Sequence, residues 1–131
     1  MTSKSRIRVA VHGAAGKVGH EVLRAVGDAP DMELTVAIDR VSPSALDVLP
    51  VSVPYHTDVR QALTENPSDV IVDFSLAGAT LSMVPHAVEL GVSPVIGTTG
   101  FTEDQMNLIK GLCSDASVGG FLAPNFTIGA V

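Results

Sequence analysis

Short apolar runs alternate with segments of helical period along almost the whole chain, and that alternation carries most of what the sequence says. Residues 6–12 form an apolar run that reads as a first strand. From Lys17 to about Asp28 the period changes to that of a helix. Val18, Val22, Ala25 and Val26 are expected on one face, and His20, Arg24 and Asp28 on the other. Pro30 closes the turn that follows. A second strand is predicted over 33–39. Residues 42–54, rich in Ser, Pro and Val, read as a loop with a short strand at 51–53. Thr57 is placed to cap a helix reaching Glu65, which Asn66-Pro67 ends.

The second half repeats the scheme. A short apolar strand carrying Asp73 near its end is predicted over 70–74, then a helix over 79–90, stopped by Gly91 and kinked or restarted at Pro85. Another strand covers 93–97. Thr102-Glu103-Asp104-Gln105 fits a capping box that opens a helix to about Cys113, and a last strand falls at 120–123. Strands separated by helices predict an α/β fold: a Rossmann-type, doubly wound parallel sheet forming one domain. In such folds a ligand lies across the carboxyl ends of the strands. Here those ends carry glycine or polar residues: 13–18, Asp39-Arg40, Asp73-Phe74-Ser75, 97–100 and 123–126.

The first of these ends, Gly13-Ala14-Ala15-Gly16-Lys17-Val18-Gly19, joins a buried strand directly to a helix. A helix start leaves unpaired backbone N–H groups and partial positive charge, which together suit a diphosphate. Gly13 suits the tight turn, Gly16 the close approach of backbone to phosphate, and Gly19 the seating of helix on strand; Lys17 stands at the mouth as a further phosphate partner. Asp39 follows Gly19 by twenty residues, where a ribose-binding carboxylate is expected. Asp39 suits the ribose hydroxyls of NADH, whereas the Arg40 guanidinium suits the 2′-phosphate of NADPH, so both cofactors are expected to bind. A glycine-rich turn without ligand, with Arg40 a solvated charge, is the alternative.

Composition narrows the partners. The 131 residues carry a net charge of −6 and no basic cluster, which argues against nucleic acid and an anionic membrane surface. A hydrophobic fraction of 46% with 4% aromatic predicts a core of small aliphatic side chains. The single cysteine, Cys113, excludes an internal disulfide and fits a reducing compartment; with no secretory or transmembrane pattern, the expected location is cytoplasmic.

Four blocks then carry a specific resemblance: the glycine turn, Val-Ile-Val-Asp-Phe-Ser at 70–75, Val-Ile-Gly-Thr-Thr-Gly-Phe at 95–101, and Ala-Pro-Asn-Phe-Thr-Ile-Gly-Ala-Val at 123–131. Together they resemble the 4-hydroxy-tetrahydrodipicolinate reductases, formerly dihydrodipicolinate reductases, of lysine and diaminopimelate synthesis. The resemblance implies NADH- or NADPH-dependent reduction of a small cyclic dicarboxylate to tetrahydrodipicolinate. Carried over by position, it implies that Gly13, Ala14, Ala15, Gly16, Lys17 and Val18 wrap the diphosphate, and that Asp39 and Arg40 take the ribose and its 2′-phosphate. Phe74 and Ser75 would line the adenine–ribose side, Gly97, Thr98 and Thr99 the nicotinamide end, and Ala123, Pro124, Asn125 and Phe126 the place where nicotinamide meets substrate. Leu76 stands where some members carry an arginine, a departure from the family's pattern.

The resemblance further implies that 1–122 is the dinucleotide-binding domain and 123–131 a hinge toward a second domain. That domain carries the family's substrate-serving histidine pair and lysine and most contacts of a homotetramer. None of His12, His20, His56 or His86 takes that role, and no catalytic or metal-ligating residue is expected in this chain. His12 is expected to be packed or to lie beside the cofactor, His20 and His86 to be exposed on helices, His56 to lie in a loop, and Cys113 to be a small buried residue. The chain alone is therefore expected to bind cofactor with little or no turnover. Readings left open are a homoserine-dehydrogenase-like enzyme, a non-catalytic NAD(P)-sensing module and a coenzyme A-binding domain of the same fold.

Overall fold

The computed structural model describes residues 5–41 and 49–122. Its elements, in chain order, are β1 (Ile7–His12), α1 (Lys17–Asp28), β2 (Met32–Ile38), β3 (Tyr55–His56), α2 (Val59–Glu65), β4 (Val70–Asp73), α3 (Ala77–Glu89), β5 (Ser93–Ile96), α4 (Glu103–Asp115) and β6 (Phe121–Leu122). All pairings are parallel and the strand order is β3-β2-β1-β4-β5-β6. The order reverses between β1 and β4, so the exits of β1, β2 and β4 diverge around one crevice. This is the Rossmann-type doubly wound sheet that the alternation predicts.

Alternate residues of each strand serve two cores. Val9, Val11 and Ala37 face α1 and pack on Leu23 and Val26. Ala10, Val36, Ile38, Ile71 and Ile96 face the other way, against Leu63 of α2, Met83 and Val84 of α3 and Ile109 of α4. Both faces being covered explains why the inner stretches of the strands, 9–11, 36–38 and 70–72, read as apolar runs. Leu23 is fully buried, so truncating it to alanine would remove about 2–5 kcal/mol of stability.

Several boundaries differ from the pattern reading, each for a local reason. The buried face of α1 is Gly19, Leu23 and Val26, with Val22 partly covered. Val18 and Ala25 lie exposed instead, because the helix seats on the sheet through the residue that has no side chain. The strand expected at 51–53 falls at Tyr55–His56, where Ala37 N–H donates to Pro54 O and Asp39 N–H to His56 O. Val51 and Val53 pack sideways on the α1 core. Asp58, not Thr57, caps α2: its side chain accepts from Gln61 N–H at 3.0 Å. Helix α3 starts at Ala77, earlier than expected, and its span continues past Pro85. Gly91, at φ +74°, ends it with Val92 N–H donating back to Ala87 O. The capping box of Thr102 and Gln105 is formed as predicted.

One irregularity places a site residue. The β1–β2 register advances by one residue between Val9 and Ala10, which leaves Thr35 as an extra residue on β2. The Thr35 hydroxyl lies 3.1 Å from Val9 O and 2.6 Å from Ser68 Oγ. Ile38 thereby comes level with His12, and its carbonyl accepts from both Gly13 and Ala14 N–H. Asp39, just beyond the end of β2, is brought beside the glycine turn.

Candidate functional site

A cleft of about 470 Å³ opens at the carboxyl edge of the sheet, at the point where strand order reverses. Its floor is His12, Gly13, Ala15 and Gly16; one wall is Asp39, Arg40 and Val41 with Thr57 and Val59; the other is Phe74, Ser75 and Leu76 with Ala79 and Ser82 of α3. The glycine turn is held by its surroundings. Gly13 has φ +82°, and a Cβ there would run into the carbonyl of Phe74, 2.7 Å from its carbon. A Cβ on Gly19 would collide with the Gly13 carbonyl oxygen and lie 2.8 Å from Ala14 Cα. Such contacts with backbone do not relax cheaply, so β1, the turn and α1 form one tight unit.

Helix α1 begins at this unit without a side-chain cap, its Ncap residue being Gly16, and has no acidic residue in its first turn. The α3 start, at Leu76, likewise lacks a side-chain cap, whereas α2 and α4 are capped by Asp58 and Thr102. The α1 start therefore keeps the donors and the partial charge that an anion would meet. Across the cleft, Asp39 Oδ2 accepts from Ala15 N–H at 2.9 Å and Oδ1 from Arg40 N–H at 2.7 Å. The carboxylate thus closes over the turn while its partner arginine stays exposed. The Tyr55 hydroxyl donates to the Val41 carbonyl and lies 3.3 Å from that of Asp39, its one hydrogen serving both, which fixes the bend that carries Arg40. Burial, followed by the Asp39 charge, raises the Tyr55 pKa.

A buried polar group lies beneath the cleft. Asp73 is fully buried at the end of β4. Its carboxylate takes His12 Nδ1 at 2.8 Å, Ser75 Oγ at 2.6 Å, Thr80 Oγ1 at 2.5 Å and Thr98 Oγ1 at 2.8 Å. Burial pushes its pKa up, but the hydrogen bond and charge of His12 and the hydroxyls of Ser75 and Thr80 outweigh that and hold it below the ordinary range.

The structure gathers Gly13, Ala15, Gly16, Asp39, Arg40, Phe74 and Ser75 of the expected site around this one cleft. Ala14 is buried behind the turn, and Lys17 and Val18 are exposed on the first turn of α1. Gly97 and Thr98 are buried beside Asp73, and Thr99 is exposed at the exit of β5. Ala123, Pro124, Asn125 and Phe126 lie outside the described residues. His12 is buried, as expected of a packed residue, and Cys113 is buried with its thiol pKa raised by burial. His20 and His86 are half-buried, not exposed, and His56 is in β3, not a loop. Val41, Val59, Ala79 and Ser82 enter the cleft from elements whose packing no local pattern reveals. The Asp73 group was signalled in sequence only by an aspartate ending a short apolar strand.

The strand order, the reversal point and the uncapped glycine turn define a domain of the nucleotide-binding Rossmann class. A family model described as "Dihydrodipicolinate reductase, N-terminus" matches residues 7–126. The chain belongs to this family. It is 37% identical to the 4-hydroxy-tetrahydrodipicolinate reductase of Synechocystis sp., covering all of this chain and 52% of that protein. Against the Moorella thermoacetica enzyme of the same name, identity is 39%, over 95% of this chain and 49% of the relative. The chain thus spans about half the length of the curated relatives it matches.

Among solved structures, dipicolinate-bound dihydrodipicolinate reductase from Paenisporosarcina sp. TG-14 superposes with a TM-score of 0.83 at 32% identity, over 95% of this chain and 49% of that one. Homoserine dehydrogenase from S. aureus shares the fold at a TM-score of 0.77 but only 15% identity, over 91% of this chain and 32% of that one. No helix among the described residues is long and apolar enough to cross a membrane.

Proposed function

We propose that this chain is the NADH- or NADPH-binding part of a 4-hydroxy-tetrahydrodipicolinate reductase, working in the cytoplasm on a small cyclic dicarboxylate as part of a homotetramer. The observation that carries the reading is the uncapped α1 start behind Gly13 and Gly19, facing Asp39 and Arg40 across one cleft. A side chain on Gly13 would run into the backbone of Phe74 and one on Gly19 into the turn itself, so the turn keeps its shape only with glycine at both, and a helix start of this kind suits a diphosphate. The turn 13–18 wraps the diphosphate, with the N–H groups of Lys17 and Val18 at the start of α1 as its donors, Asp39 takes the ribose hydroxyls and Arg40 a 2′-phosphate when one is present. Phe74, Ser75 and Leu76 wall the adenosine side, and residues 97–99 and 123–126 orient the nicotinamide end. When bound, the reduced nicotinamide supplies the hydride.

The chain's own contribution is to bind, to orient and to exclude water from the glycine turn. Residues 1–122 form the cofactor unit and 123–131 the hinge toward the family's substrate domain. His12 is held by the buried Asp73 carboxylate, and the substrate-serving histidine pair and lysine that the family resemblance implies belong to its substrate domain, so the isolated chain binds cofactor with little or no turnover.

Calorimetry of the 131-residue chain with NADH, NADPH and pyridine-2,6-dicarboxylate tests this. Binding of both nucleotides without the dicarboxylate is the expected pattern. Binding of neither nucleotide, or their displacement by coenzyme A, refutes it. Arg40→Ala should weaken NADPH about tenfold while leaving NADH within about twofold, since only NADPH carries the phosphate that the guanidinium pairs with.

A further inference from the structure

The backbone ladder between β4 and β5 ends where Gly97 N–H donates to Asp73 O, and that between β1 and β4 where Phe74 N–H donates to His12 O. Past those rungs the strands separate into the loops that border the cleft. One side chain continues the ladder: Thr98 Oγ1 accepts from Ser75 N–H at 2.8 Å and donates to Asp73 Oδ2 at 2.8 Å. The same carboxylate reaches back to His12, the residue before Gly13, and up to Ser75. The exits of β1, β4 and β5 are thereby tied to one fully buried group.

We propose that Asp73 is a positioning residue for the cofactor: through Thr98 and His12 it fixes the exits of β1, β4 and β5 relative to one another. The diphosphate and nicotinamide ends of one molecule then meet loops that are already set. This rests on the dinucleotide reading above and deepens it. A carboxylate suits the task because it is an acceptor throughout, so every donor aimed at it points inward and cannot exchange roles. It has no water to fall back on, so its donors are held strictly. Loops ordered before binding need not be ordered by the ligand, and affinity rises accordingly. Thr80 bonds Asp73 from the first turns of α3, and its hydroxyl also lies 3.2 Å from Ser75 Oγ and 3.3 Å from Leu76 O; it touches the β4 exit but not those of β1 and β5, and so provides an internal comparison for the ties that Thr98 makes.

The test compares Thr98→Val, Thr98→Ser and Thr80→Val in the 131-residue chain, by NADH calorimetry and thermal melting. Thr98→Val and Thr80→Val each delete one hydroxyl from Asp73 and should lower the melting temperature alike. Only Thr98→Val should weaken NADH, by about tenfold, with Thr98→Ser restoring it and Thr80→Val staying within about twofold. Should Thr98→Val fail to fold, Thr98→Cys keeps a weak donor in place and should lose affinity in the same direction, by less. Unchanged affinity in the Thr98 variant, or an equal loss in Thr80→Val, overturns the proposal while leaving the cofactor reading intact. A wild-type chain that binds neither NADH nor NADPH overturns the cofactor reading and this proposal with it.

Discussion

Replacing Gly19 by alanine sets helix propensity directly against close packing. Alanine in a helix is favoured over glycine by at most about 1 kcal/mol, so a helix considered alone would gain. In the folded chain the new methyl group would meet the Gly13 carbonyl oxygen and lie 2.8 and 2.9 Å from Ala14 Cα and C. All three neighbours are backbone of the turn, and α1 must lift from the sheet to make room. Overpacking of this kind costs about 1–3 kcal/mol. With two contacts inside 3.0 Å besides the oxygen overlap, the upper part of that range applies, for a net loss near 2 kcal/mol.

For a domain of this size the melting temperature should fall by roughly 6–10 °C. The matched control is Gly111→Ala in α4, where a Cβ meets nothing within 4 Å and stability should rise by up to about 1 kcal/mol. Thermal melting followed by far-UV circular dichroism reads both, and NADH titration should show Gly19→Ala weakened more than tenfold because the turn is displaced with the helix. A Gly19→Ala chain as stable as wild type would refute the claim that helix and turn touch at this point.

Asp73 has a lowered pKa in the folded chain, so the unfolded chain takes up its proton first as pH falls. Its contribution to stability is present above the ordinary aspartate range and is lost below about pH 4. Melting temperatures from pH 7 to 2.5 should therefore fall more steeply at the acid end for wild type than for Asp73→Asn; parallel curves would contradict this. The sequence holds one tyrosine, so phenolate absorbance reports Tyr55 alone. Its midpoint should lie above the ordinary value in the folded chain and return to it in denaturant, and Asp39→Asn should lower it, because the Asp39 charge opposes ionisation. Tyr55→Phe removes a hydroxyl bonded to the carbonyls of Asp39 and Val41. It should cost about 1 kcal/mol in urea unfolding and loosen NADPH more than NADH, since the bend it holds carries Arg40.

Much of this architecture was legible in the order of residues because it is periodic and local. Buried parallel strands need unbroken apolar runs, and a capping box needs its four residues adjacent. A turn at φ +82° needs glycine, so these features can be read without knowing what lies across the sheet. The two-residue β3 was misplaced because its bonds are made to Ala37 and Asp39, distant in sequence, while the apolar Val51 and Val53 have another use against α1. The docking face of α1 runs through Leu23 and Val26 and is centred on Gly19, whose lack of a side chain turns it away from the stripe through Val18 and Ala25. What only the tertiary structure decided is the joint position of groups from separate segments: the bulge at Thr35 that brings Asp39 to the turn, the two walls of the cleft, and the meeting of His12, Ser75, Thr80 and Thr98 on Asp73. Such bonds depend on register and strand order, which come from packing the whole sheet, and no local pattern encodes which donors a buried carboxylate will find.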